Sequence, residues 1–146
     1  MRLLKDANST MPPPDHSAPG TPREWLARAR SSLALANVAK PEETAWEDLC
    51  FQAQQAAEKA IKAALQHNGI VFPYVHDLQV LLDLLETKDV RVPEAVKLAA
   101  VLSRYAFQTR YPGDYVPVTQ EDYREATKQA RTVLEWSERM IEGEGV

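Results

Sequence analysis

The feature that most constrains the fold of this chain is a long alanine-rich stretch at residues 42–68. Its apolar residues recur at the 3.6-residue spacing of an α-helix and would share one face. These residues are Trp46, Leu49, Ala53, Ala56, Ala57, Ala60, Ala64 and Leu65. Because most of them are alanines, a neighbouring helix can approach closely, and Gly69 offers a C-terminal cap. The stretch predicts a long central helix whose polar face, residues 52–62, carries a weak ion pair between Glu58 and Lys62.

Local start and stop signals predict the other helices. The sequence Thr21-Pro22-Arg23-Glu24 has the pattern of a capping box with proline at the first helical position, and predicts a helix to about Ala39. A third helix is predicted from His76 or Asp77 to Glu86, a fourth from Val92 to about Thr109, and a fifth from Thr119 to about Glu142. No stretch has a convincing strand pattern. The prediction is an all-α fold, an antiparallel up-and-down bundle of four to five helices.

The fourth predicted helix has little polar surface, since apolar residues occupy nearly all of its sides. A helix with this pattern is usually buried on several sides, and we expect that here. Its polar residues Lys97, Arg104 and Gln108 lie along one line, at spacings of seven and four. That line must reach solvent or a functional site.

Bulk properties indicate one ordinary globular domain. The chain has 146 residues, of which 45% are hydrophobic and 26% charged. Residues 1–20 are rich in Pro, Ser and Asp and are predicted to be a disordered tail, which leaves residues 21–146 as the folded domain. No apolar run approaches the roughly 20 residues that a membrane helix needs, so no membrane association is expected. The lone Cys50 cannot form an internal disulfide and indicates a small buried residue in a cytoplasmic protein.

Charge is distributed unevenly around a formal net charge of −4. Residues 91–110 contain four basic residues against one acidic residue, whereas residues 119–146 contain four basic and seven acidic residues. A polyanion would therefore be expected near residues 91–110. The alternative is that these charges belong to solvated helix faces.

Most signatures of enzyme sites are absent from the sequence. There is no glycine-rich phosphate loop, since the chain has only five glycines and they do not cluster. No pair of His or Cys residues has metal-ligand spacing, and no Ser/His/Asp set is suggested. His67 and His76 stand at predicted helix ends, where capping or packing explains them. The residues thus predict no catalytic group, no metal site and no cofactor.

The segment at residues 108–115 is the strongest candidate for a binding site, and it reads QTRYPGDY. Its proline and glycine predict a type II turn. The planar guanidinium of arginine can donate two parallel hydrogen bonds to a phosphate, and the rings of tyrosines can stack on a base. The candidate nucleotide- or RNA-binding residues are Arg104, Gln108, Arg110, Tyr111, Asp114 and Tyr115. The alternative is a structural turn in which Arg110 neutralises a helix C-terminus.

Three motifs occur in a characteristic order: FQAQQAAEKAIKAAL at residues 51–65, HDL at residues 76–78 and TRYP at residues 109–112. Together they resemble the HEPN family (higher eukaryotes and prokaryotes nucleotide-binding), over roughly residues 23–140. The resemblance implies a helical bundle that commonly forms homodimers and associates with nucleotides or RNA. Many prokaryotic members form toxin–antitoxin pairs with a minimal nucleotidyltransferase, and in such pairs the HEPN protein is often the RNase toxin. The resemblance therefore also implies a minimal nucleotidyltransferase partner.

The sequence departs from the RNase members of that family at one position. Those members carry an arginine followed, after four to six residues, by a catalytic histidine. Arg110 matches the arginine, but Tyr115, Val116 and Pro117 occupy the histidine positions. The resemblance therefore implies a non-catalytic dimer that binds a nucleotide or RNA phosphate. Two alternatives are a diverged metal-independent RNase and a purely structural interaction module.

Overall fold

The computed structural model describes residues 20–108 and 116–143, and all regular secondary structure in these ranges is helical. The helices are α1 (Pro22–Ala36), α2 (Trp46–His67), α3 (Leu78–Thr87), α4 (Glu94–Lys97), a 3₁₀ helix (Leu98–Arg104), α5 (Tyr105–Gln108) and α6 (Gln120–Glu142). The predicted all-α bundle is confirmed. The segment predicted to be a disordered tail lies outside the described residues, except for Gly20. None of the described helices is both long enough and apolar enough to cross a membrane.

Helix α1 begins with the capping box that the sequence predicts. The Thr21 hydroxyl accepts a hydrogen bond from the Glu24 amide at 3.1 Å, and the Glu24 carboxylate accepts one from the Thr21 amide at 2.8 Å. The helix ends at Ala36, three residues before the predicted Ala39. The reason is local, because Asn37 caps the end with its side-chain amide on the Leu33 carbonyl at 3.0 Å.

Helix α2 is the centre of the bundle and packs between α1 and α6. Its alanines at positions 53, 56, 57, 60, 63 and 64 are completely buried, which confirms the close helix packing predicted from their small size. The helix starts at Trp46, four residues later than predicted. The preceding residues form a turn instead, since the Thr44 amide donates to the Pro41 carbonyl at 3.0 Å and Lys40 Nζ donates to the Thr44 carbonyl at 2.6 Å.

The long helices have defined relative directions. Gln66, near the end of α2, donates to the carbonyl of Gly20, just before α1, so α1 and α2 are antiparallel. Helix α6 begins with a second capping box, formed by Thr119 and Asp122, and ends at Gly143 in the left-handed conformation. The hydroxyl of Tyr123, in its first turn, donates to the carbonyl of Ala36 at 2.6 Å, so α6 also runs antiparallel to α1.

The predicted fourth helix is interrupted, and we refer to residues 94–108 as the fourth helical segment. A 3₁₀ helix has three residues per turn, so residues three apart lie on one line. The inner line is buried and consists of Val96, Ala99, Leu102 and Tyr105. The outer line is exposed and consists of Leu98, Val101, Arg104 and Phe107. The expectation of burial on several sides is therefore wrong, because Leu98 is 61% exposed and Val101 is 51% exposed.

Candidate functional site

Arg104 is the one predicted site residue whose side chain lies within the described structure. It is exposed at the end of the 3₁₀ helix, directly before the predicted binding segment. One guanidinium nitrogen donates to the Tyr105 hydroxyl at 2.7 Å, and the guanidinium carbon lies 4.8 Å from the centre of the Tyr105 ring. In the described part of the chain, no carboxylate lies within ion-pair distance of Arg104.

The remaining predicted site residues cannot be placed beside Arg104. Arg110, Tyr111, Asp114 and Tyr115 lie outside the described residues, as does the side chain of Gln108. Their grouping into one binding site remains a prediction from the sequence.

Behind Arg104, the fourth helical segment meets α2 at Tyr105 and Cys50. Burial raises the pKa of Tyr105, although the hydrogen bond from Arg104 acts in the opposite direction. Burial also raises the pKa of Cys50 to about 12, against a lowering hydrogen bond with Tyr105. A thiol with so high a pKa forms almost no thiolate at neutral pH. Cys50 is therefore a packing residue, as its sequence context indicates.

The polar face predicted for α2 contains a buried charge cluster, which consists of Gln54, Glu58 and Lys62. The predicted ion pair between Glu58 and Lys62 forms, but it is not on an exposed face, since Glu58 is 4% exposed and Lys62 is 6% exposed. Glu58 Oε2 lies 2.7 Å from Lys62 Nζ, and Glu58 Oε1 accepts a hydrogen bond from Gln54 at 3.0 Å. The Lys62 ammonium also lies 5.8 Å from the ring centre of Trp25 and 5.6 Å from that of Phe72.

The environment of Glu58 favours its ionised form. Burial raises the pKa of this carboxyl, but the hydrogen bond and charge of Lys62, with hydrogen bonds from Gln54 and His76, outweigh burial. The net effect holds the pKa of Glu58 below its usual value. Glu58 is therefore a carboxylate in the folded protein at neutral pH.

His76 reaches this cluster because the loop after α2 turns back along the helix. The loop begins with a hydrogen bond from the Ile70 amide to the Leu65 carbonyl, and it ends with His76 beside Glu58. His76 Nδ1 lies 3.0 Å and 3.2 Å from the two Glu58 oxygens. The Gln54 side-chain amide donates to the His76 carbonyl at 3.2 Å. The capping role considered for His76 belongs instead to Asp77, which accepts a hydrogen bond from the Gln79 amide.

The His76 side chain is 47% exposed, whereas its carboxylate partner is almost completely buried. With Nδ1 held by Glu58, the opposite ring nitrogen, Nε2, is turned away from the cluster. A carboxylate that holds an imidazole in this way fixes the orientation of the ring and leaves its other nitrogen accessible, a geometry that acid–base chemistry requires. The spacing of four between Gln54, Glu58 and Lys62 was visible in the sequence, but nothing there connected it to His76.

A hydrogen bond links the His76 region to the fourth helical segment. The Leu78 amide, at the start of α3, donates to the Ser103 hydroxyl at 2.8 Å. Ser103 immediately precedes Arg104, so the His76–Glu58 contact and the Arg104 guanidinium lie on neighbouring parts of the bundle. Within residues 20–108 and 116–143, no group of three potential His, Cys, Asp or Glu ligands could hold a metal ion.

Comparison with known proteins agrees with this architecture. The family model of the HEPN domain matches residues 22–140, which is most of the chain. This chain belongs to the HEPN family. The crystal structure of an archaeal HEPN homologue is similar, with a TM-score of 0.67, 28% sequence identity, and coverage of 84% of this chain and 99% of that chain. No functionally curated protein is significantly similar in sequence.

The HEPN match includes the polar side chains of the candidate site. Glu58, His76 and Arg104 all lie within the matched range, so they are parts of the HEPN domain rather than of an added segment. The three motifs that carry the sequence resemblance lie in the same range, which confirms the family. HEPN domains generally form dimers.

Proposed function

We propose that this HEPN-domain protein binds the phosphate of a nucleotide or an RNA at Arg104 and the adjoining residues 108–115. The observation that carries the proposal is the exposed guanidinium of Arg104. Tyr105 accepts its hydrogen bond at 2.7 Å, and Arg104 forms no direct ion pair within the described residues. Hydrogen bonds with Thr119 are the main reason that the pKa of Asp122 is lowered, and the charge of Arg104 also lowers it. An arginine that is held in place without a contacting carboxylate is suited to bind phosphate oxygens through two parallel hydrogen bonds.

The charges around Arg104 support the same proposal. Lys97, seven residues before Arg104, is paired with Glu86 at 2.9 Å. Arg104 is thus the unpaired cation on the outer line, and it lies nearest to Arg110 in the sequence. Binding would combine these two arginines with the aromatic rings of Tyr111 and Tyr115, which can stack on a base.

We further propose that the protein acts as a homodimer with a minimal nucleotidyltransferase partner, in a system of the toxin–antitoxin type. The family supports dimerisation, and Leu98, Val101 and Phe107 provide exposed apolar side chains on the same line as Arg104. A dimer formed through this line would bring the Arg104 side chains of two subunits toward one shared surface.

The test is isothermal titration of the protein with ATP and with a short RNA. Wild-type protein should bind, and Arg104→Ala and Arg110→Ala should each lose at least about tenfold in affinity, since each removes a charged hydrogen-bond donor. Arg131→Ala, which removes an exposed arginine from α6, should bind as wild type does. Equal binding by all four proteins would refute the proposed site. Absence of binding by every protein would favour the structural interaction module.

A second candidate function is metal-independent RNA cleavage, and the His76–Glu58 pair favours it. The pair supplies an oriented imidazole that the segment after Arg110 lacks. Incubation with RNA in the presence of a chelator should then give cleavage that is lost in both His76→Asn and Arg110→Ala. If RNA stays intact at high protein concentration, this second function is excluded while the binding proposal stands.

A further inference from the structure

A second candidate binding site lies between α1 and α2, and Arg104 is not among its residues. It is an open cavity of about 520 Å³. The residues that line it are Gly20, Glu24, Trp25, Ala27, Arg28 and Lys59. This volume is within the range of small-molecule sites, which are usually apolar cavities with a few placed polar groups.

Two cations from different helices line this cavity. Arg28 lies on α1 and Lys59 lies on α2. Burial is the main reason that the pKa of Lys59 is lowered, and the positive charge of Arg28 is the next. Neither residue forms an ion pair in the described part of the chain. Two such cations near one another repel, and an anion bound between them would remove that cost.

Glu24 lies in the same lining and offsets one of the two positive charges. Its Oε1 accepts the hydrogen bond from the Thr21 amide at 2.8 Å that closes the capping box of α1, which holds the carboxylate at the start of that helix. The charged groups of the lining therefore carry a net charge of +1. A ligand with two negative charges would be bound more favourably than one with a single charge.

The ammonium group of Lys59 is held in position. Its Nζ donates to the hydroxyl of Ser32 at 2.8 Å, and Ser32 is only 3% exposed. Two further ammonium protons remain for a ligand. A donor that is fixed before binding loses less conformational entropy when the ligand arrives.

Trp25 and Ala27 provide the apolar part of the lining. The Trp25 indole packs edge-on against Phe72, with 6.2 Å between the ring centres, so its orientation is fixed by the core. Its indole nitrogen is buried and has no hydrogen-bond partner within the described residues. Arg28 is the residue after Ala27, so the apolar and cationic parts of the cavity are adjacent.

We propose that this cavity binds a small organic phosphate, with the phosphate dianion between Arg28 and Lys59 and the organic part against Trp25 and Ala27. Arginine and a fixed lysine together match the geometry and charge of a phosphate group. The apolar lining adds affinity for an aromatic or aliphatic substituent. This site is separate from the phosphate-binding surface proposed at Arg104 and does not depend on it.

The test uses the full chain and three probes: phenyl phosphate, inorganic phosphate and phenol. Heteronuclear NMR titration follows the amide signals of α1 and α2. Phenyl phosphate should occupy this cavity with one molecule and shift signals around residues 24–32 and 59. Inorganic phosphate should shift the same signals with weaker affinity. Phenol should bind weakest, because the phosphate charge contributes more to the binding free energy than the aromatic ring does.

Variants decide where the ligand binds. Arg28→Gln and Lys59→Met should each weaken phenyl phosphate binding by at least about tenfold. Lys128→Met, which removes an exposed cation from α6, should change the affinity by less than about twofold. Circular dichroism confirms folding, and Arg28→Gln keeps the test valid if Lys59→Met is unstable, because Arg28 is exposed.

Three results would overturn the proposal. The first is no shift with phenyl phosphate at millimolar concentration. The second is equal loss of affinity in Lys128→Met, which would indicate general charge attraction. The third is loss in Arg104→Ala but not in Lys59→Met, which would assign phosphate binding to the Arg104 surface alone.

Discussion

His76 Nδ1 lies 3.0 Å from Oε1 of Glu58, a carboxylate that is almost completely buried in the helical bundle. This contact joins the loop after α2 to the middle of that helix. It also extends the Glu58–Lys62 pair into a chain of three ionisable groups that runs from the core to the surface. Buried charges are costly to desolvate, so a folded protein retains them only where they are well paired or functional.

The Glu58–Lys62 pair should be strongly coupled in stability. Glu58→Gln leaves the Lys62 ammonium buried without a counter-charge, and we expect a loss of about 3–5 kcal/mol in the free energy of unfolding. Lys62→Met should cost a similar amount. The double variant Glu58→Gln/Lys62→Met removes both charges and should be clearly more stable than either single variant. Urea denaturation measures all three, and additive losses would show that the pair is not coupled.

The same carboxylate should contribute to acid denaturation. Burial raises the pKa of Glu58, but Lys62, Gln54 and His76 outweigh it and hold the pKa below the ordinary value of about 4.3. The unfolded chain therefore binds this proton more tightly than the folded protein. The stabilisation is complete above pH about 4.3 and is lost as the pH falls through the lower pKa of the folded state.

Comparison with the double variant isolates this contribution. The free energy of unfolding, measured by urea at a series of pH values from 7 downward, should fall more steeply below about pH 4.3 in wild-type protein than in Glu58→Gln/Lys62→Met. Parallel curves for the two proteins would mean that Glu58 has the same proton affinity in both states.

The outer line of the fourth helical segment should form the dimer interface that we propose. Leu98→Lys and Val101→Lys each place a charge where an apolar contact between subunits would be lost. We expect wild-type protein to sediment as a dimer and both variants to shift toward monomer. Leu35→Lys changes a residue of similar exposure on α1, 52% against 61% for Leu98, and should remain dimeric. Wild-type sedimentation as a monomer would remove the dimer proposal altogether.

Cys50 should be inert in the folded protein. It is completely buried, and burial raises its pKa to about 12, so both access and thiolate formation are suppressed. Ellman's reagent should react with it only after unfolding in concentrated guanidinium chloride. Rapid reaction in native buffer would mean that the contact between α2 and the fourth helical segment opens readily.

Local sequence signals determined most of the helices. The capping boxes at Thr21 and Thr119 are complete within four residues, and both form as the sequence indicates. The alanine-rich face of α2 also follows from the sequence, because side-chain size and helical spacing fix which face a neighbour can approach. The late start of α2 at Trp46 was not predicted, although the turn before it is formed by residues close in the chain, Lys40, Pro41 and Thr44.

In the 3₁₀ helix, the spacing of the apolar residues does not predict the type of helix that forms. In a short apolar run, spacings of three fit both an α-helix and a 3₁₀ helix, so residues 98–104 could be read as the continuation of an α-helix. Only packing against α3 and α6 decided which line of residues faces the core. The exposed line that results carries Arg104, which is why the predicted site residue is accessible.

The sequence by itself determined the family, the helical composition and the positions of the caps, because these depend on contacts between residues close in the chain. The tertiary structure decided that Glu58 and Lys62 are buried, that His76 reaches them, and that Arg28 and Lys59 face one cavity. The pairings of Glu58 with His76 and of Lys59 with Arg28 each join a side chain of α2 to a group brought alongside it by the fold. Burial and charge pairing of this kind arise from packing between helices, which no local pattern of residues records.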